Sequence, residues 1–237
     1  MSLPTERKPG EPESRARAIR LLFWILLRSL VLVAVLTVAA AAQTPAGSIT
    51  ELRGGASIER NGSSFAAALA IPIMMSDKID TADRSSLTVE LLDGSRLTLS
   101  DSSSIIIDRM ISDPAIANSM VQVLIRLFRG QLESLVHPAV AAPPHFEVHT
   151  PNAVVGVRGT DFKTEYIEGK PCPGFPKCLR YTDVGVYQGI VEVSNPTSPN
   201  AVSVRVASGY ETTVPCELPP ATPGPLGMGD ITAPGYH

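Results

Sequence analysis

Three cysteines, four histidines and a scatter of carboxylates and serines are the side chains of this sequence that could do chemistry. Cys172 and Cys178 flank Pro-Gly-Phe-Pro-Lys. A span that short can close as a disulfide in an oxidising compartment if the Cα atoms come within ~7 Å. Cys216 is then left over, either free or an alternative partner for one of the other two. Three cysteines with no fourth ligand close by do not make a zinc site. His145 and His149 are four apart, the helical spacing of two metal ligands. Pro143, Pro144 and the β-branched residues that follow argue for a strand instead, where that spacing spans ~13 Å, too far to share one ion. His137, His145, His149 and His237 are therefore read as surface residues, and no metal is expected. Asp161, a single carboxylate, is a weak signal for acid–base work. Ser102, Ser103, Ser104 and Ser208 lack the Gly-x-Ser-x-Gly elbow of a serine nucleophile. Neither a Walker loop nor a Gly-x-Gly-x-x-Gly run is present. The expectation is a protein with no catalytic residue and no cofactor, not an enzyme.

The elements that would carry these residues read as short strands. The chain has 237 residues, 44% hydrophobic and only 5% aromatic, with 18 glycines and 21 prolines, enough for one core interrupted by many sharp turns. Asn61-Gly62 is a hairpin signal between alternating segments. Leu87, Val89 and Leu91 alternate, Asp93-Gly94 turns, and Leu97 and Leu99 return. Residues 105–107 and 121–128 read as strands, and residues 132–136 as a further strand after a turn at Gly130. Residues 110–120 and 138–144 read as connections. The sum is an all-β chain of short stacked strands, β-solenoid-like or a rolled β-sandwich.

The ends differ in kind. Residues 1–20 are polar and partly basic, read as disordered. Residues 21–42 are apolar except for Arg28, Ser29 and Thr37. As a signal peptide they present a basic n-region, an apolar run and an Ala-rich cleavage site ending at Ala42. As an uncleaved anchor they span ~30 Å of hydrocarbon, with Arg28 an expense inside it. The alanine tail and Arg28 favour cleavage. Under both readings the basic flank stays in the cytoplasm and the rest is periplasmic or exported; under the anchor reading it is held to the inner membrane through residues 21–42 alone. The first 42 residues hold six of the 20 basic and three of the 23 acidic side chains, leaving 14 and 20, a net −6. A mildly acidic remainder argues against nucleic-acid binding. Residues 215–237 are Pro- and Gly-rich and read as a disordered tail.

Residues 146–162 stand out. Phe146, Val148 and Thr150 point one way and Glu147 and His149 the other. Pro151-Asn152 turns, Val154, Val155 and Val157 resume a strand, and Asp161 and Phe162 begin another. Gly156 and Gly159 flank Arg158, which implies tight packing or a backbone turn. Thr150, Pro151, Ala153, Val157, Arg158, Gly159, Thr160 and Phe162 together form a run that resembles the signature of the FecR domain family. Residues 91–99, 129–132, 187–193 and 207–210 resemble lighter features of that family, and the resemblance covers residues 47–214.

The resemblance implies an all-β periplasmic module like that of the iron-siderophore regulators, which pass a signal from an outer-membrane receptor to a sigma factor. Those regulators carry a longer cytoplasmic anti-sigma segment than residues 1–20 provide. A stand-alone exported FecR domain is therefore expected, a non-catalytic binding or signalling module whose partner is an envelope protein or a surface polymer. A structural scaffold for envelope or surface-polymer assembly and a trans-envelope sigma-factor regulator are the alternatives. Arg158 could meet a ligand carboxylate, but its glycine neighbours favour a structural arginine that ties strand ends together.

Overall fold

The computed structural model describes residues 44–111, 122–137, 146–157, 159–199 and 202–227. The leader at residues 21–42, the cleavage position Ala42, and Arg158, His145 and His237 lie outside them. The described chain is all-β, without a helix. In chain order its first strands are β1 (Pro45–Arg53), β2 (Ala56–Arg60), β3 (Ser63–Ala66), β4 (Pro72–Met74), β5 (Lys78–Thr81), β6 (Ser86–Leu91), β7 (Arg96–Leu99) and β8 (Ser104–Ile111). The 14-residue β9 (Gln122–Leu135) follows. Beyond it come β10 (Phe146–His149), β11 (Val154–Val157), β12 (Asp161–Glu168), β13 (Arg180–Gln188), β14 (Ile190–Ser194), β15 (Ser203–Ala207), β16 (Tyr210–Pro215) and β17 (Gly224–Pro225).

These strands form two layers. The first runs β4-β1-β6-β7-β9-β12-β13-β16-β17. The second runs β3-β2-β5-β8-β9-β10-β11-β14-β15. Every neighbouring pair is antiparallel except β9 and β10. This is the rolled sandwich of the two expected architectures; a solenoid would stack parallel strands. Alternation explains the layering. Leu87, Val89, Leu97, Leu99, Leu132, Val184 and Val186 face inward from the first layer, and Ile58, Ile79, Ile105, Ile125, Val148, Val155 and Val193 from the second, all at 0% exposure. Phe146 of β10 meets Phe162 of β12 edge-on across the core, ring centroids 6.5 Å apart.

β9 belongs to both layers. Its first half pairs with β8 and β10 in the second layer, from Gln122 to Arg129. Its second half, from Gly130 to Leu135, pairs with β7 and β12 in the first. The expected turn at Gly130 is thus a bend inside one continuous strand. Gly130 has φ +77, and a Cβ there would lie 2.4 Å from Ser103 Oγ and 2.7 Å from Ser103 Cα. Ser103 fastens the bend: its Oγ accepts the Gln131 N–H at 2.9 Å, and its own N–H donates to Thr81 Oγ1 at 2.9 Å.

Residues 215–227, read from sequence as part of a disordered tail, are laid along the first layer. β17 pairs with Tyr210 and Glu211, the Ala221 N–H donates to Thr213 O at 2.9 Å, and the Leu226 N–H donates to Gly209 O at 2.8 Å. The prolines that suggested disorder sit in an edge segment, where a missing N–H costs no interior ladder bond.

The bend at Gly130 generates a test. Gly130→Ala should lower stability by about 2–5 kcal/mol, one part from left-handed backbone and the larger part from overpacking against Ser103. Gly62→Ala, at φ +76 with nothing within 4 Å of the added Cβ, should cost only the backbone part, about 1–2 kcal/mol. Urea midpoints of the two variants check the difference.

Candidate functional site

The signature residues form the joint between the layers. β10 and β11 are antiparallel, with Phe146 opposite Val157 and His149 opposite Val154, and residues 150–153 turn between them. Thr150 closes the turn on itself: its N–H donates to Ala153 O, and its Oγ1 accepts the Ala153 N–H, both at 2.9 Å. A polar chain then leaves the turn for the opposite layer. The Thr182 hydroxyl of β13 donates to Asn152 Oδ1 at 2.7 Å. Its single proton being used there, Thr182 Oγ1 accepts the Thr150 hydroxyl, also at 2.7 Å. Asn152 Nδ2 donates to Val214 O of β16 at 2.7 Å. Thr150, Asn152 and Thr182 are all buried, so each group left unpaired would carry a desolvation penalty.

The other end of the signature is held similarly. Thr160 is buried; its hydroxyl donates to Ile190 O at 3.2 Å and its carbonyl accepts the Val136 N–H at 2.9 Å. Gly159 has φ +55. Gly189, at φ +91, packs against that turn so closely that a Cβ would sit 3.0 Å from Thr160 Oγ1 and 3.2 Å from Gly159 O. Ala153, Val157 and Phe162 are core residues, while Pro151 is exposed.

Beside this turn, on the outside of the second layer, lies an open groove of about 550 Å³. Gly156, Glu192 and Arg205 form one cross-strand row over β11, β14 and β15. Gly156 has no side chain, so the row dips there. Ile190 stands at the rim, 57% exposed. Glu192 accepts the Ser203 hydroxyl at 2.7 Å. Arg205 lines the groove and has no ion-pair or hydrogen-bond partner among the described residues.

A second polar region covers the outside of the first layer. Lys163 of β12 lies opposite Glu133 and Gly185; Glu165 lies opposite Asp183, and Gly185 opposite Glu211. Leu226 covers Gly185, its Cδ1 2.7 Å from where a Cβ would be, and Lys163 is only 6% exposed. Burial pushes the Asp183 carboxyl up, and the charges of Glu165 and Glu211 add to that; a 2.5 Å hydrogen bond from Thr213 and the Lys163 charge oppose it. Burial, then the charge of Asp161, likewise raises Glu133. This face can change charge with pH. Among the described residues no group of three or more His, Cys, Asp or Glu gathers as metal ligands.

The cysteines correct one expectation. Cys178 is bonded to Cys216, Cα atoms 5.8 Å apart, and Cys172 keeps its thiol. The Cys172–Cys178 closure favoured by the short spacing is not the one present. The reason is long-range: β16 lies along β13, with Pro215 opposite Tyr181, and the Cys216 N–H donates to Arg180 O at 3.0 Å. That register delivers Cys216 to Cys178.

Residues 77–192 match the family model described as FecR protein. The chain carries a FecR domain. Two crystal structures of a "putative anti-sigma factor" from Parabacteroides distasonis are similar over 65% of this chain, at 20% and 19% identity and TM-scores of 0.48 and 0.49. The chain spans 62% of the length of those structures. No curated protein matches it. The FecR match takes in β5 to β13 and the signature, and it ends at residue 192, inside β14. Asn195, the groove residue Arg205, Cys216 and β15 to β17 lie beyond it. Asn152 was read from sequence only as a turn residue, and Thr182 and Asn195 were not singled out. Polar residues within β-rich segments read as outward-facing, and only the cross-layer pairing turns them inward.

Two outcomes follow. Asn152→Ala removes the partners of Thr182 and of the Val214 carbonyl and should destabilise the FecR domain by about 2–4 kcal/mol; Pro151→Ala, at an exposed position, should cost under about 1 kcal/mol by the same urea titration. The raised Asp183 carboxyl is held protonated more tightly by the folded chain than by the unfolded one. The stability this contributes is complete below the ordinary aspartate value of 3.8 and is lost as pH rises through the raised one. Asp183→Asn keeps an acceptor for Thr213, so its stability relative to wild type should grow between about pH 4 and about pH 7. Equal differences at the two pH values would contradict the assignment.

Proposed function

We propose that this chain is an exported, non-catalytic FecR-domain protein of the bacterial envelope that signals or anchors by taking up an extended segment of another envelope protein. The presence of a FecR domain supports a regulatory or signalling role. The observation that carries the finer reading is the groove along β14 and β15. Among the described residues β15 pairs on one side only, with β14, so its other edge offers backbone N–H and C=O groups to an incoming strand. Ile190 supplies an apolar contact beside that edge and Arg205 a cation for an acidic side chain. The signature residues serve this reading by fixing the groove floor rather than by touching the partner: Thr160 ties β14 to the end of β9, and Gly189 packs on the Gly159–Thr160 turn.

The test is capture from envelope fractions by the full chain and by Arg205→Glu and Ile190→Asp. Both positions are exposed, so both variants should melt like wild type. Loss of the captured envelope protein by tenfold or more in either variant is the expected result. Equal capture by all three would remove the groove as the contact surface.

A further inference from the structure

Cys172, Cys178 and Tyr181 form one buried cluster, and Ile167 and Cys216 pack against it. All three cysteines of the protein therefore pack into a single apolar cluster, although only two of them are bonded. The backbones of Cys172 and Cys178 are also adjacent. The Cys172 N–H donates to Cys178 O at 2.8 Å, while the Phe175 N–H donates to Cys172 O and the Cys178 N–H to Phe175 O. The other partner sits less comfortably. Cys216 has φ +37, a left-handed conformation that costs a β-carbon-bearing residue, and it is held there by the bond to Cys178 and by hydrogen bonds to its carbonyl from Asn195 at 2.8 Å and Asn152 at 3.4 Å.

We propose that the three cysteines form a thiol–disulfide exchange switch, in which Cys172 takes Cys178 from Cys216 and so unlatches the C-terminal segment. The step is balanced within the chain. Cys172 Sγ gives up its proton and attacks Cys178 Sγ. The Cys172–Cys178 bond forms as the Cys178–Cys216 bond breaks. The electron pair leaves on Cys216 Sγ, which takes up a proton. One disulfide and one thiol remain, so no oxidant or reductant is consumed.

Burial, with the Asp183 carboxylate next, holds the Cys172 thiol up, and Tyr181 is the other titratable group in its cluster. The resting state accordingly keeps Cys172 protonated and the latch closed. Residues 173–177 are exposed, so local opening of this loop is the route by which the thiol ionises and moves. The latch controls a defined segment. Past Cys216, residues 217–227 are fastened by the Asn195 hydrogen bond to Leu218 O, the Thr212 and Thr213 bonds to Ala221, the two residue pairs of β17, and Leu226 over Gly185. Freeing Cys216 loosens the root of this strap. It exposes the outer edge of β16 and the charged face around Lys163, giving an extended partner segment a second edge. The proposal does not depend on the groove at β15.

The test is disulfide mapping of the full-length oxidised protein, held at mildly alkaline pH, quenched in acid, alkylated and digested. Wild type should begin with alkylated Cys172 and a Cys178–Cys216 cross-linked peptide. It should then accumulate a Cys172–Cys178 peptide with alkylated Cys216, to at least a tenth of the total. In Cys172→Ser, Cys216 should stay linked throughout. Cys216→Ser supplies an independent arm, in which mild oxidation should join Cys172 to Cys178. If wild-type Cys216 never becomes alkylable, or if Cys216→Ser leaves both remaining thiols free after oxidation, the switch is overturned.

Discussion

A sandwich of two sheets needs a covalent route between its layers, and in this protein the central one is a strand shared by both. β9 pairs with β8 and β10 before Gly130 and with β7 and β12 after it. Its backbone can serve both sheets only because residue 130 has no Cβ to drive into Ser103. Each layer is built outward from β9, with strands of lower number on one side and of higher number on the other. The groove, the charged face and the disulfide all lie among the strands of higher number, so their positions inherit the angle set at that bend.

The FecR signature acts as internal joinery on the same side. Thr150, Asn152 and Thr182 pass hydrogen bonds from the β10–β11 turn to β13 and on to the Val214 carbonyl of β16. A chain of donors this fully used has one arrangement. It therefore fixes the register between layers, which apolar contacts alone would leave free to slide. Groups spent on each other in the interior are not available to a ligand. This is why the surface beside the signature, rather than its buried hydroxyls, is the candidate for recognition.

Local turn chemistry made much of the fold legible in the sequence. Asn61 and Gly62 both take positive φ, as a two-residue hairpin requires. Asp93 holds its turn by accepting the Ser95 N–H at 2.9 Å. Residues 146–162 make the two strands, turn and third strand that alternation predicts. Features that depend on distant partners were not legible. A glycine between apolar runs reads the same whether the strand stops or bends, so β9 read as two strands. The Cys178–Cys216 bond follows from the register of β13 on β16, which no local spacing encodes. The proline-rich segment after residue 215 read as tail because its order comes from lying on β16, not from its own composition. For the site, the residue types around Thr150 and Thr160 and the turn at Asn152 were legible; the buried bonds of Asn152, Thr182 and Asn195 were not.

The shared strand also governs how the protein can come into being. β1 to β8 leave β7 and β8 with an unfilled side until residues 122–135 arrive, and β10 and β12 later dock on the same segment. Neither half is an autonomous folding unit, because each would lack the middle of both its sheets. During synthesis the emerging N-terminal half is consequently a pair of open-sided ribbons. Such ribbons are the kind of intermediate that chaperones hold and that aggregates by edge pairing. Final assembly is cooperative, with both layers closing on the one strand they share.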